Sequence, residues 1–128
     1  MDRSSFEHIV ENALRHLPRR FKNRIKNISI EIEDRPSRET LQNMGILQGT
    51  LLGLYQGVPL TERGWNYGNV LPDRIVIYQL PIEESARSLE EIEKIVLDTV
   101  MHEVGHYFGF DDEALYSIED DKSKKKKR

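Results

Sequence analysis

The chain has 128 residues, 38% apolar and 32% charged, with no cysteine and a net charge of -3. That length supports one domain with its own core, and the absence of cysteine excludes disulfides, thiolate zinc fingers and a cysteine nucleophile. No apolar run approaches the ~18 residues of a membrane span, and MDRSSFEHIV lacks a basic-then-apolar leader pattern, so a monomeric protein of the reducing cytoplasm is expected.

Phe6, Ile9, Val10, Ala13, Leu14 and Leu17 recur at helical spacing, and Pro18 stops the pattern. Arg15, Arg19, Arg20, Lys22, Arg24 and Lys26 cluster at the end of this first helix, where cations complement the carbonyl end of the dipole. NISIEIED alternates, with Ile28, Ile30 and Ile32 on one face and Ser29, Glu31 and Glu33 on the other. It reads as a strand with one face packed and one in water. An irregular segment follows. TLLGLYQG and DRIVIYQL are then β-rich runs separated by the Gly- and Pro-containing stretch 57–73, which suggests a hairpin with a long loop. SLEEIEKIVLDTVMHEVGHYF opens with Ser88 as N-cap and Glu91 three residues on, a capping box, and Gly109 closes it. The elements together predict an α+β domain over residues 1–120: a small mixed sheet with the two main helices on one face. A short last helix ends that domain. Residues 122–128, KSKKKKR, hold six of the 19 basic groups and leave 13 against 22 acids elsewhere. That run reads as a basic, disordered tail over 121–128, with nucleic-acid contact the lesser alternative.

The chemistry sits in HEVGHYFGFDD, residues 102–112. At about 100° per residue, His102 and His106 fall within ~40° of each other and about 6 Å apart along the helix axis. Two imidazoles so placed can share one tetrahedral zinc. Glu103 projects beside the metal, where it can hold a water and take its proton. Gly109 permits a left-handed turn that swings the chain back, and the next hard oxygen donors are Asp111 and Asp112. Composition alone gives His-Glu-x-x-His in roughly one chain of this length in several hundred, so the zinc reading outweighs two core histidines satisfied by hydrogen bonds. His8 and His16 lie about 12 Å apart along the first helix, too far to chelate one ion, and read as surface residues. Gly45, Gly49 and Gly53 recur every fourth residue but lack the G-K-[ST] of a phosphate loop, and no serine sits in a nucleophile elbow.

His102 to Asp112 resembles the H-E-x-x-H-x-x-G-x-x-D motif of metzincin peptidases in which the third ligand is aspartate. Residues 4–118 resemble the small bacterial zincin-like metallopeptidases, described as minimal matrix-metalloprotease-like domains; LLGLYQGVPLTERG and LPDRIVIYQLP look like the segment preceding their active-site helix. The resemblance implies a minimal zincin fold, a Zn2+ cofactor held by His102, His106 and Asp112, Glu103 as general base, and hydrolysis of a peptide or protein substrate. It also makes Thr50–Gln56, paired with Arg74–Gln79, a sheet edge to which substrate adds as a strand, with Leu52, Gly53 and Leu54 contacting it and Gly53 allowing close approach. No methionine follows Asp112, so the Met-turn of full-size metzincins is absent, with Ala114 to Asp120 in its place. The competing function is a zincin-fold binding module without turnover, recruited through the basic tail.

Overall fold

The apolar spacing near the N-terminus does form a helix, α1 (Arg3–Arg15), which buries Phe6, Val10 and Ala13. Its N-cap is Asp2, whose carboxylate accepts from the Ser5 N–H at 2.7 Å; hydrogen bonding to the Ser5 side chain first, and to its backbone second, holds the carboxyl below its ordinary pKa. The computed structural model of the protein describes residues 1–23, 25, 28–57 and 73–109. The short last helix and the basic tail expected from the sequence lie outside those residues.

Pro18 ends the first helical pattern, as expected, but it also starts a second turn, α2 (Arg19–Lys22), which buries Phe21. Proline is suited to that place because its missing N–H would have no helical partner there. Of the basic cluster, Arg15 therefore lies on α1 and Arg19, Arg20 and Lys22 on α2, while Arg24 and Lys26 fall outside the described residues. Lys22 donates through Nζ to the Arg15 carbonyl at 3.0 Å, a cation set directly on the end of α1.

Strand β1 (Ile28–Glu33) follows. The segment after it contains a helix the sequence reading did not anticipate, α3 (Arg38–Asn43), capped by the Ser37 side chain accepting from Thr40 N–H at 3.0 Å. It buries no residue, and with no apolar face it left no periodic signal. Strands β2 (Gly53–Gln56) and β3 (Asp73–Tyr78) pair antiparallel, with Gly53 opposite Ile77 and Tyr55 opposite Ile75. These are the expected hairpin partners; residues 58–72 of the connection fall outside the described residues. β1 pairs parallel to β3, so the sheet is mixed, with order β1-β3-β2 and, among the described residues, β2 at one edge. The β3 run does not continue to residue 80. It turns at Tyr78 into a helix, α4 (Gln79–Ser85), because Pro81 fits a first helical turn and cannot donate to a sheet ladder. The long helix α5 (Leu89–Tyr107) completes the described fold.

Both main helices pack on one sheet face. Phe6, Val10 and Ala13 of α1 join Val96, Val100 and Val104 of α5 around Ile75 and Ile77 of β3, with Ile28, Ile30 and Ile32 against that cluster. The other face carries a smaller apolar group, Leu54, Val76 and Tyr78. Beside it the Arg74 guanidinium bonds Glu31 and Glu33 of β1 and Gln56 of β2, strapping the three strands together. The hydrogen bond to Glu31, with both carboxylates adding, raises the Arg74 pKa against the opposing effect of burial. Glu31 and Glu33 thus do more than face water.

Phe6 has no exposed surface and lies where α1, α5 and the sheet meet. Phe6→Ala should cost about 3–5 kcal/mol through lost burial and an unfilled cavity. Urea denaturation of the two proteins measures it.

Candidate active site

Helix α5 begins as its sequence suggests and differs in one detail. The Ser88 hydroxyl accepts from Glu91 N–H at 3.1 Å. The Glu91 carboxylate, however, reaches back to the Arg87 N–H rather than to that of Ser88, so the box closes one residue early. At the other end Gly109 adopts φ 91°, and its N–H donates to the His106 carbonyl at 2.9 Å. This is the left-handed turn anticipated after the histidine motif. The Phe108 ring stacks on Phe21 with centroids 5.0 Å apart, tying the end of α5 to α2.

Three ridges of α5 have different tasks. Val96, Val100 and Val104, four apart, enter the core. Thr99, Glu103 and Tyr107 run along β2. A methyl group on Gly53 would come within 2.6 Å of Thr99 Cγ2 and 3.3 Å of Glu103 Cγ, while the Tyr107 ring meets Tyr55 edge-on at 6.2 Å. His102 and His106 share the next ridge, both half-buried. Their rings lie 4.8 Å apart between centroids, at 62° to each other.

Glu103 is buried at 7% exposure, and a carboxylate in that position needs partners. Its Oε1 accepts from the Tyr55 backbone N–H at 2.9 Å and lies 3.4 Å from His106 Nδ1. The Nδ1 side of His106 is thus turned to a carboxylate, as in imidazoles that ligate a metal through Nε2. Both contacts use one oxygen of Glu103 and leave Oε2 out of them. Nearby, burial pushes the Tyr78 phenol above its ordinary pKa; the Glu33 carboxylate adds to this, Arg74 opposes it, and Glu103 contributes a further rise.

The structure thus brings together His102, Glu103 and His106. Asp111 and Asp112 lie outside the described residues, and among the described residues no group of three or more metal-binding side chains forms. The donor chemistry present, two imidazoles side by side with a buried carboxylate next to them, suits zinc, with further ligands still to be supplied. Leu52 is half-buried against the main core, and its carbonyl accepts from Tyr78 N–H at 2.9 Å. Since facing residues alternate in an antiparallel ladder, Leu54 and Gln56 also turn their backbone toward β3, while Gly53 and Tyr55 turn theirs outward. The Leu54 side chain is buried in the smaller cluster on the opposite face. At Gly53, the neighbour that needs the missing Cβ is α5. His8 and His16 are exposed on α1, where His16 Nδ1 meets the Asn12 carbonyl at 2.7 Å. They border a groove of about 560 Å³ between α1 and α5 that includes neither His102 nor Glu103.

Two features of the site were missed by the sequence reading: Thr99 beneath Gly53, and the Tyr55 N–H on Glu103. The spacing of Thr99 four residues before Glu103 was a visible signal for the first. No side-chain pattern announces a backbone donor from another element.

The chain belongs to the zincin-like metallopeptidase family, whose model matches residues 25–122. The small mixed sheet and its helices form a minimal zincin fold. Among solved structures, the chain is similar to a conserved hypothetical protein from Thermo thermophilus, at 23% identity and a TM-score of 0.55. That match covers 83% of this chain and 92% of the other, and it shows a shared fold. No curated protein matches the chain. No helix among the described residues is long and apolar enough to cross a membrane.

Both ends of α5 can be tested. Ser88→Ala should cost about 1 kcal/mol by loss of its cap, and Gly109→Ala about 1–2 kcal/mol by forcing a β-carbon into the left-handed region. Thermal or urea denaturation checks each value.

Proposed function

We propose that the protein is a zinc-dependent peptidase whose catalytic base is Glu103. The observation that carries this reading is the placement of Glu103: buried on α5, beside the ridge of two adjoining histidines and 3.4 Å from one of them, His106, and in contact with the outward side of strand β2. His102 and His106 would hold the metal from one helix, with Asp112 as the third ligand after the Gly109 turn. Zinc bound there supplies a Lewis acid for the scissile carbonyl and makes a water acidic enough to ionise near neutral pH. Glu103 takes the proton of the attacking water and delivers it to the departing amine.

The edge of β2 would receive the substrate, with Leu52, Gly53 and Leu54 forming the stretch against which an extended peptide lies. Outward-facing backbone groups on such an edge bind a peptide through its main chain and leave side-chain preference to the surrounding pockets. Burial of Glu103 supports the role of base over that of a surface acid. A buried carboxylate has few competing waters and a fixed direction, and both favour proton transfer to a positioned reactant.

His102→Ala and His106→Ala should each abolish stoichiometric zinc binding, measured by metal analysis of the purified protein. Glu103→Gln should keep zinc and remove hydrolysis in a peptide-library assay run with and without chelator. Equal cleavage by wild type and Glu103→Gln would sink the catalytic assignment. Zinc binding by a wild type that cleaves nothing would favour a binding module instead. For the third ligand, Asp112→Ala should weaken zinc by orders of magnitude, whereas Asp111→Ala should leave the affinity nearly unchanged; the reverse ranking moves the ligand to Asp111.

A further inference from the structure

Gly53 and Tyr55 lie on the helix-facing side of β2, two residues apart, and α5 approaches both. At Gly53 the approach leaves no room for a methyl group, which would stand 2.6 Å from Thr99 Cγ2 and 3.2 Å from the Val76 carbonyl oxygen. At Tyr55 the backbone N–H meets Glu103 Oε1 at 2.9 Å. One helical turn separates Thr99 from Glu103, so the two contacts are a single docking of one ridge on one strand.

We infer that the backbone N–H of Tyr55 is a positioning group for the Glu103 carboxylate, brought within reach by the close contact of Gly53 with Thr99. The inference rests on Glu103 being the base of the proposed peptidase. A glutamate in a helix has three rotatable side-chain bonds and loses their freedom only where a partner fixes the carboxylate. The Tyr55 N–H fixes one oxygen, Oε1, and thereby aims the other. Because that donor belongs to the edge strand, the base and the edge are held in one frame. An added peptide strand could pair with the outward groups of Gly53, but at the Tyr55 N–H it would meet Glu103. Pairing along the edge therefore stops beside the base, which places the bond to be cut at the level of Tyr55.

The test is amide hydrogen exchange in the full chain, read at Tyr55 and, as a control for strand fraying, at Leu54, whose N–H faces β3. In Glu103→Ala the Tyr55 amide should exchange roughly tenfold faster than in wild type, the size expected for one lost hydrogen bond. In Glu103→Gln, which keeps an acceptor oxygen, it should stay protected. Gly53→Ala should expose the Tyr55 amide as Glu103→Ala does, and Gly53→Ala with Thr99→Ser, which removes the crowding methyl group, should protect it again. Leu54 should remain slow throughout. The inference is overturned if Tyr55 exchanges as fast in wild type as in Glu103→Ala, or if Leu54 accelerates together with Tyr55. In a hydrolysis assay Gly53→Ala should lower kcat with zinc affinity held, and adding Thr99→Ser should restore it. Absence of hydrolysis in wild type would end the peptidase reading, while the exchange results would still decide the positioning role.

Discussion

The approach of helix α5 to strand β2 at Gly53 sets the geometry on which the candidate site depends. A helix and a strand come this close only where one of them lacks a side chain, and Gly53 meets that condition above Thr99. With the distance fixed there, Glu103 is delivered one turn later to an outward-facing amide, and Tyr107 two turns later to the Tyr55 ring. His102 and His106 take their direction from the same docking, since they occupy the adjoining ridge of the helix. A burial of Glu103 that would otherwise be costly is offset by a backbone hydrogen bond and a nearby imidazole.

The rest of the described fold holds α5 in that position from its other sides. Its valine ridge lies in the main core against Phe6 and Val10 of α1 and the isoleucines of β3. Its C-terminal end is pinned by the Phe108 ring on Phe21, which gives the short helix after Pro18 a structural task beyond linking α1 to the sheet. On the far face of the sheet Arg74 bridges β1 and β2 through the central strand. The guanidinium geometry suits this, because its several donors can serve carboxylates on one side and an amide oxygen on the other. The edge strand that carries Gly53 and Tyr55 is therefore held by its ladder with β3, by a side-chain bond from that strand, and by α5.

Much of this was legible in one dimension because the relevant signals are local. The periodicity of Phe6, Val10 and Ala13 marks a helical face, and alternation in the isoleucines of β1 marks a half-packed strand. Ser88 before an apolar-periodic run marks a helix start, and a four-residue step from His102 to His106 puts both imidazoles on one face whatever surrounds the helix. The elements that were not legible lack such signals. α3 buries nothing, and α4 continues a β-rich run without a break, so that only Pro81 and the packing of the neighbouring elements separate strand from helix. The separation of Arg15 on α1 from Arg19, Arg20 and Lys22 on α2 was hidden in the same way, because Pro18 can either end a helix or begin one.

Residue order alone specifies the chemistry available: two histidines and a glutamate at helical spacing, a glycine able to reverse the chain after them, and an apolar pattern sufficient for one α+β domain. These follow from backbone periodicity and side-chain type, which need no knowledge of distant partners. Packing in three dimensions is what joins β1 to β3 in parallel and so leaves β2 at the edge of the three described strands. Packing also makes Gly53 the point where α5 comes close, and rests the Glu103 carboxylate on the Tyr55 amide. Each of these is a contact between groups far apart in the chain, and one of the partners is often a backbone N–H or a missing side chain, which every residue type or any glycine could supply. Where the decisive group carries no distinguishing side chain, its role is fixed by the elements that surround it.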